Sequence, residues 1–295
     1  MKIYSVNDFP KINNIKAQAC TPKSTNNYFD TVSFKGTEEE KSVESPYRRI
    51  EYEKICNMFK NFSTNTVQKS RDLQSEAVSL ELRAKGLVAE SHTTLHYAKE
   101  GKLQFKRAEN GTLYIEEPTN DGHKKTYLTK RDGYLSVERI EEYTPENGTT
   151  VYNINKKGDV DEIICDQRKS DEYSFIAQKM FFFRHGSLDM VMNDLKRKND
   201  GSFNVGTVYK YINGVLYNSS KNFTQEVDGS TTTQCEGLFK HNKLEKLNIN
   251  RIQRMNGDFT IAQAFFFENE IPTMLEKNFK RNRMGEVTIE KSFKF

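Results

Sequence analysis

Long apolar runs, paired cysteines and an excess of either charge are all missing from this chain. No stretch approaches the roughly 18 apolar residues of a membrane helix, and the opening MKIYSVNDFPKINNIKAQ lacks the apolar core of a secretory signal. Cys20, Cys56, Cys165 and Cys235 stand far apart with no CxxC pair, which argues against a zinc ribbon or a redox motif and fits free thiols in a reducing compartment. These absences point to a soluble, cytoplasmic protein. Lysine plus arginine number 45 against 41 aspartate plus glutamate. The field of the whole molecule therefore steers little toward anionic membranes or nucleic acid, and any anion site has to be a local patch. Sequence-specific nucleic-acid binding is not expected.

Signatures of catalysis are missing too. The chain has no Gly-x-Ser-x-Gly turn, no cysteine with an evident histidine partner, no Walker-type loop, no dinucleotide fingerprint and no calcium loop. Adjacent carboxylates such as Glu116 and Glu117, or Glu141 and Glu142, would point to opposite faces of a strand and not act as an acid/base pair. The expectation is a protein that is not an enzyme and that carries neither cofactor nor metal.

What the chain does have is aromatic side chains. Twenty Phe and 14 Tyr are too many for a disordered polymer, even at a mean hydropathy of -0.80. Residues 1–44 show neither a helical nor a strand period and read as a flexible tail. Ser45 followed by Pro46 is a good helix start, since the serine can cap and proline fits the first helical position. Tyr47, Ile50, Met58, Phe62, Leu73, Ala77, Leu80 and Ala84 then recur near helical spacing. The polar stretch NFSTNTVQKS is a candidate break, and Gly86 a candidate end. The segment 45–86 is thus expected to be helical and to pack on a sheet.

From Leu87 to Phe295, short aromatic and β-branched runs alternate with glycine turns such as AENG, RDG, NDG, ING, VDG and MNG, which predicts a large antiparallel β-meander. Three blocks resemble one another. They start near Leu87, Phe175 and Thr260, and each keeps Val/Ile-Ala-Glu/Gln, then a basic pair, then glycine. The step from alanine to lysine is nearly constant: Ala89 to Lys106, Ala177 to Lys196 and Ala262 to Lys280. The period is about 85 residues, with copies at 87–172 and 173–258 and a partial copy at 259–295. A truncated third copy speaks for an open or partly rolled sheet, mainly β in class, and its uncapped end offers a route to self-association.

The spacing HTTLH at His92 and His96 would suit two zinc ligands on a helix. The block alignment puts it in a strand instead, where residues four apart lie about 13 Å from each other and cannot share a metal. Two repeated features remain. The basic pairs Lys106 and Arg107, Lys196 and Arg197, and Lys280 and Arg281 would form a spaced row if the blocks are equivalent, fit to meet an acidic polymer or protein. The alternative is that they are solvated hairpin flanks protecting edges. The triplets Phe181–Phe183 and Phe265–Phe267 make strands apolar on both faces, so Phe182 and Phe266 need cover on the second face. The leading reading is a non-catalytic β-repeat protein presenting a sheet surface to a macromolecular partner. A carrier of an apolar small molecule lined by Phe182 and Phe266 comes second, and a hydrolase using carboxylates gathered by the fold third.

Overall fold

The computed structural model describes residues 46–169 and 174–295, so the expected tail, 1–44, lies outside the described residues. The chain divides into two compact units, Lys2–Phe59 and Lys60–Phe295. Of the first, the described part is the opening of a helix; the second holds the rest of that helix and the sheet.

The helix α1, Pro46–Lys99, begins where Ser45-Pro46 places it. It neither breaks at the polar stretch nor stops at Gly86, and residues 87–99, expected in the first strand, continue it. The reason lies in a seven-residue repeat of small side chains: Ser63, Ser70, Ala77, Ala84, Ser91 and Ala98, all at most 5% exposed. Between them Val67, Leu73, Leu87 and Leu95 are also buried. Burial along this stripe outweighs the cost of Gly86, about 1 kcal/mol relative to alanine. Gly101, at φ +75, ends the helix. Its N–H donates to Ala98 O at 3.2 Å and that of Lys102 to Tyr97 O at 2.9 Å, a Schellman cap.

Sixteen strands follow among the described residues. They are β1 Phe105–Arg107, β2 Leu113–Thr119, β3 Gly122–Arg131, β4 Tyr134–Thr144, β5 Gly148–Ile154, β6 Val160–Lys169, β7 Phe175–Arg184 and β8 Ser187–Arg197. Then come β9 Phe203–Ile212, β10 Val215–Gln225, β11 Thr231–Lys240, β12 Lys243–Gln253, β13 Phe259–Glu268, β14 Ile271–Arg281, β15 Val287–Thr288 and β16 Lys291–Lys294. Each of β1 to β15 pairs antiparallel with its chain neighbour, and β16 returns to β14. The path never closes on itself, so the sheet is an open meander and the mainly-β reading stands.

The repeating unit is not the longer block but a 28-residue hairpin. Four hairpin turns, at His185-Gly186, Asn213-Gly214, His241-Asn242 and Asn269-Glu270, have positive φ at both central residues and recur at one 28-residue interval, the type I′ geometry that matches strand twist. In the second strand of each hairpin one residue is left-handed in mid-strand: Asp194, Asn222, Asn250 and Asn278. A register shift opposite Phe183, Phe239 and Phe267 fits the same interval. The units are 175–202, 203–230, 231–258 and 259–286. Three of them together make up the longer period, and only the first and fourth carry a phenylalanine triplet, which is why the sequence shows that period first.

Unit and helix share a length scale. Two strands advance about 9.6 Å and seven helical residues about 10.5 Å, so each heptad of α1 crosses one hairpin. The contacts keep that order in reverse. Thr94 Oγ1 donates to Glu117 Oε2 on β2 at 3.0 Å, Glu90 lies 3.5 Å from Lys124 on β3, and Arg83 grips Glu142 on β4 at 3.0 and 2.7 Å. Glu76 accepts from Lys179 on β7 at 2.7 Å, and the Tyr211 hydroxyl on β9 donates to Ser70 O at 3.3 Å. A methyl group on Gly237 of β11 would stand 3.3 Å from the Phe62 ring. The side chains at these strand positions therefore face α1: Phe181, Tyr209 and Phe265, with their cross-strand partners Val191, Ser219 and Leu275, each at most 4% exposed.

The second face is closed by the sheet itself. One buried cluster contains Met180, Met190, Met192 and Val208 together with Ala177, Leu195, Phe203 and Val205, with Phe182 packed against it. Val205 and Val208 are three apart and would lie on opposite faces of a flat strand. The strand pair therefore turns over between them, at the level of the left-handed Asp194 and Asn222. The helix covers the inner face; it is not the cover for Phe182.

Candidate interaction surface

Within the four units the two ends of the sheet are built differently, although five-residue loops also close β1–β2 at Ala108–Thr112 and β5–β6 at Asn155–Asp159, at the type I′ end. At one end lie the type I′ turns. At the other, five-residue loops close each unit: Lys198–Ser202, Glu226–Ser230, Arg254–Asp258 and Asn282–Glu286. In each, the first N–H donates to the fifth carbonyl, at 2.9, 2.9, 2.8 and 3.0 Å. The N–H of Gly201, Gly229, Gly257 or Gly285 donates back to the first carbonyl, at 3.1, 2.9, 3.0 and 3.0 Å. These glycines sit at φ +82 to +92, a conformation that other residues adopt only with strain. Asp200 Oδ1 accepts from Ser202 N at 2.8 Å and from its hydroxyl at 2.6 Å, which holds the Asp200 carboxyl below the usual range. Asp228 repeats the arrangement on Ser230. Neighbouring loops are tied where the Arg283 N–H donates to Asp258 Oδ1 at 2.6 Å.

The frame is thus made by backbone and short polar side chains, and the loop tips are free to differ. They carry Val227, Met255 and Met284, which are 53%, 49% and 85% exposed, flanked on the strand ends by exposed Ile176 and Ile252. With one loop per two strands, equivalent tips recur about every 10 Å; Val227 and Met255 are equivalent, whereas Arg283 holds their place in the last loop and Met284 stands one residue beyond it. Sequence reading passed over Val227, Met255 and Met284. The 28-residue spacing of Gly201, Gly229, Gly257 and Gly285 was the signal that would have found them.

The predicted basic row separates. Lys196 and Arg197 end β8 and Lys280 and Arg281 end β14, both at the loop end, in the first and fourth units. The corresponding residues between them are Thr224 and Gln225, then Ile252 and Gln253. Lys106 and Arg107 end β1 before a loop of the same kind, Ala108–Thr112, but at the opposite end of the sheet, so they do not join the other pairs in one row; the block alignment that joined them ran through the helix. Lys106 is paired with Glu116 at 2.7 Å and Arg107 donates to Gly111 O at 3.3 Å. The Lys106–Glu116 hydrogen bond raises the Lys106 ammonium and lowers the Glu116 carboxyl from their ordinary values. The Arg281 guanidinium lies 5.9 Å over the Phe259 ring, which Arg251 also approaches at 5.7 Å.

The phenylalanines do not meet either. Phe182 packs on the methionine cluster, and Phe266, six strands away, lies under the Lys246 ammonium at 4.6 Å. Burial lowers the Lys246 pKa. His92 and His96 are on α1, one turn apart, contrary to the strand expected for them; His96 Nε2 lies 3.0 Å from Glu100. Among the described residues, no group of three or more His, Cys, Asp or Glu stands ready to hold a metal ion, and no helix is long and apolar enough to cross a membrane.

No family model matches the chain, and no curated protein matches it. Among solved structures, a protein from Lactobacillus plantarum is similar over 64% of this chain and 83% of its own, at 8% sequence identity and a TM-score of 0.17. So slight a likeness carries no argument.

Proposed function

We propose that this chain is a non-catalytic repeat protein that holds a macromolecular partner along the loop end of its sheet. One observation carries the reading: four loops in 28-residue register have the same backbone hydrogen bonds and different tip side chains. Repeat proteins build extended binding surfaces in this manner, with the frame fixed and the presented residues varied. Exposed Val227, Met255 and Met284 supply apolar anchors; Val227 lies between Glu226 and Asp228, while Met255 follows Arg254 and Met284 follows Arg283, so the charge around them is mixed. The partner that suits this chemistry is a protein segment with apolar side chains spaced by about 10 Å, one hairpin, and charges of both signs between them.

The test replaces Val227, Met255 and Met284 together by serine. All three are exposed, so the thermal midpoint should move by no more than a few degrees. Quantitative cross-linking in lysate should then show partners recovered on the wild type reduced at least tenfold on the variant. Equal recovery by both proteins overturns the reading.

A further inference from the structure

Beside the ion pair of Glu76 and Lys179, α1 and the strands β7 and β8 leave a groove of about 460 Å³. Gln68, Lys69 and Asp72 line it from the helix, and Lys179, Asn193 and Asp194 from the sheet. Several of these groups already have partners. Gln68 donates to Asp72 at 3.0 Å, Lys179 Nζ donates to both Glu76 oxygens at 2.7 Å, and Asn193 Nδ2 donates to Thr207 Oγ1 at 2.8 Å. Asn193 is 8% exposed, and its Oδ1 is buried with no hydrogen-bond partner among the described residues. A buried acceptor left in this state costs about 1–3 kcal/mol. The Asp194 carboxylate next to it makes no ion pair among the described residues.

The repeat provides an internal comparison. At the place of Asn193 the later units carry Lys221, Ile249 and Lys277; at that of Asp194 they carry Asn222, Asn250 and Asn278; at that of Lys179, Thr207, Cys235 and Gln263. Unit 231–258 fills the Asn193 position with buried Ile249. The frame therefore does not call for a buried amide or a carboxylate here. Only unit 175–202 gathers Lys179, Asn193 and Asp194 at one level, facing three polar helix residues.

We propose that this groove binds a small primary amine in its ammonium form, with an N–H donated to Asn193 Oδ1 once the amide swings toward the groove, and the charge set against Asp194. The buried atom without a partner is an acceptor, so the ligand must bring a donor to it. The lining carries three carboxylates, Asp72, Glu76 and Asp194, against the ammonium groups of Lys69 and Lys179, so the donor is best a cation. Lys69 stands on the helix wall, ready for a carboxylate if the ligand is an amino acid. The site lies between α1 and β7–β8 and is independent of the loop end.

The experiment titrates the full chain with putrescine, which bears ammonium groups alone, and separately with L-alanine, which adds a carboxylate, reading heat and amide NMR shifts. Saturable binding with a Kd of about 1 mM or tighter, and with shifts centred on Gln178, Lys179, Asn193 and Asp194, is the expected result. The variant Asp194→Asn keeps a residue that the other units accept at this left-handed position, so it should fold as the wild type does. Its affinity should fall at least tenfold, and Asn193→Leu should weaken binding as much. Tighter binding of alanine than of putrescine, lost in Lys69→Met, would identify an amino acid as the source of the ammonium. No saturable shift with either probe, or equal binding by Asp194→Asn, overturns the proposal.

Discussion

The sheet crosses α1 in two manners. From β2 to β6 the turns differ in length, and beside the fully buried Ile115, Ile140 and Ile163 the helix is fastened by charge and hydrogen bonds: Thr94 to Glu117, Glu90 to Lys124, and Arg83 to Glu142, whose Oε2 also accepts from Tyr152 at 3.1 Å. From β7 to β14 the period is strict and the helix side carries the large buried side chains Phe181, Tyr209, Leu247, Phe265 and Leu275, with Glu76–Lys179 as its ion pair. An ion pair tolerates variation in distance and direction, because long side chains can adjust. Close packing tolerates very little. A sheet that meets its helix through rings and small residues must present the same height at each crossing, and that demand imposes a period. From β2 to β6 ion pairs share that work and the turns do not keep the interval, although Asp166 on β6, 28 residues before Asp194, is left-handed as well.

Breaking one crossing in each half should separate the two. In the periodic half, Phe181→Ala removes a fully buried ring from between β7 and the helix and should cost about 3–5 kcal/mol in chemical denaturation. A loss under about 1 kcal/mol would mean that the crossing is not close-packed.

A smaller effect belongs to Glu162 on β6, 8% exposed and hydrogen-bonded by Asn153 Nδ2. Burial pushes its carboxyl up to about 7, opposed by the Asn153 hydrogen bond and by Arg197, with Asp161 adding to the rise. A raised folded-state pKa means that the folded protein holds a proton the unfolded chain releases. The contribution is complete below about pH 4.5, the ordinary value, and is lost as the pH rises through 7. Relative to wild type, Glu162→Gln should therefore gain about 3 kcal/mol between pH 4.5 and 8, since each tenfold change in proton affinity is worth about 1.4 kcal/mol. Parallel stability curves for the two proteins would place the carboxyl in solvent.

The smallest effect is Arg83→Ala. Its partner Glu142 is largely covered, but the Arg83 side chain is 60% exposed. Solvent screening therefore keeps the loss to about 0.5 kcal/mol, and salt at about 1 M shrinks it further. A loss as large as that of Phe181→Ala would erase the distinction between the halves.

Much of the β-architecture was legible in the chain, and the reasons are local. Asp132-Gly133 and Asn213-Gly214 announce their own turns, Ser45-Pro46 announces the helix, and the phenylalanine triplets announce strands buried on both faces. The 28-residue period was hidden because its defining turns are conformational and not compositional. His241-Asn242 and Asn269-Glu270 take the same positive φ as Asn213-Gly214 without any glycine. Glu270 at φ +67 is held by a long-range contact, accepting from the Ser63 hydroxyl at 2.8 Å, and no local rule anticipates that. The helix end was missed for a related reason. Gly86 is a sound local stop, overruled by Ala84, Leu87 and Ser91 packing on strands that are distant in sequence. The basic row failed with it, since the alignment that created the row treated the end of α1 as a strand. Of the surface now favoured, only the loop glycines were visible, as turn signals without a common spacing.

The match of one helical heptad to one hairpin gives the molecule a unit of growth. A chain lengthened by a hairpin of sheet would need a further heptad of helix to line it, and a further heptad alone would find nothing to lie on. Duplication of a single hairpin would thus leave an unlined stretch of aromatic side chains, whereas paired additions of hairpin and heptad would preserve every crossing. Length in this architecture is a quantity that changes by whole steps, counted on two segments of the chain at once.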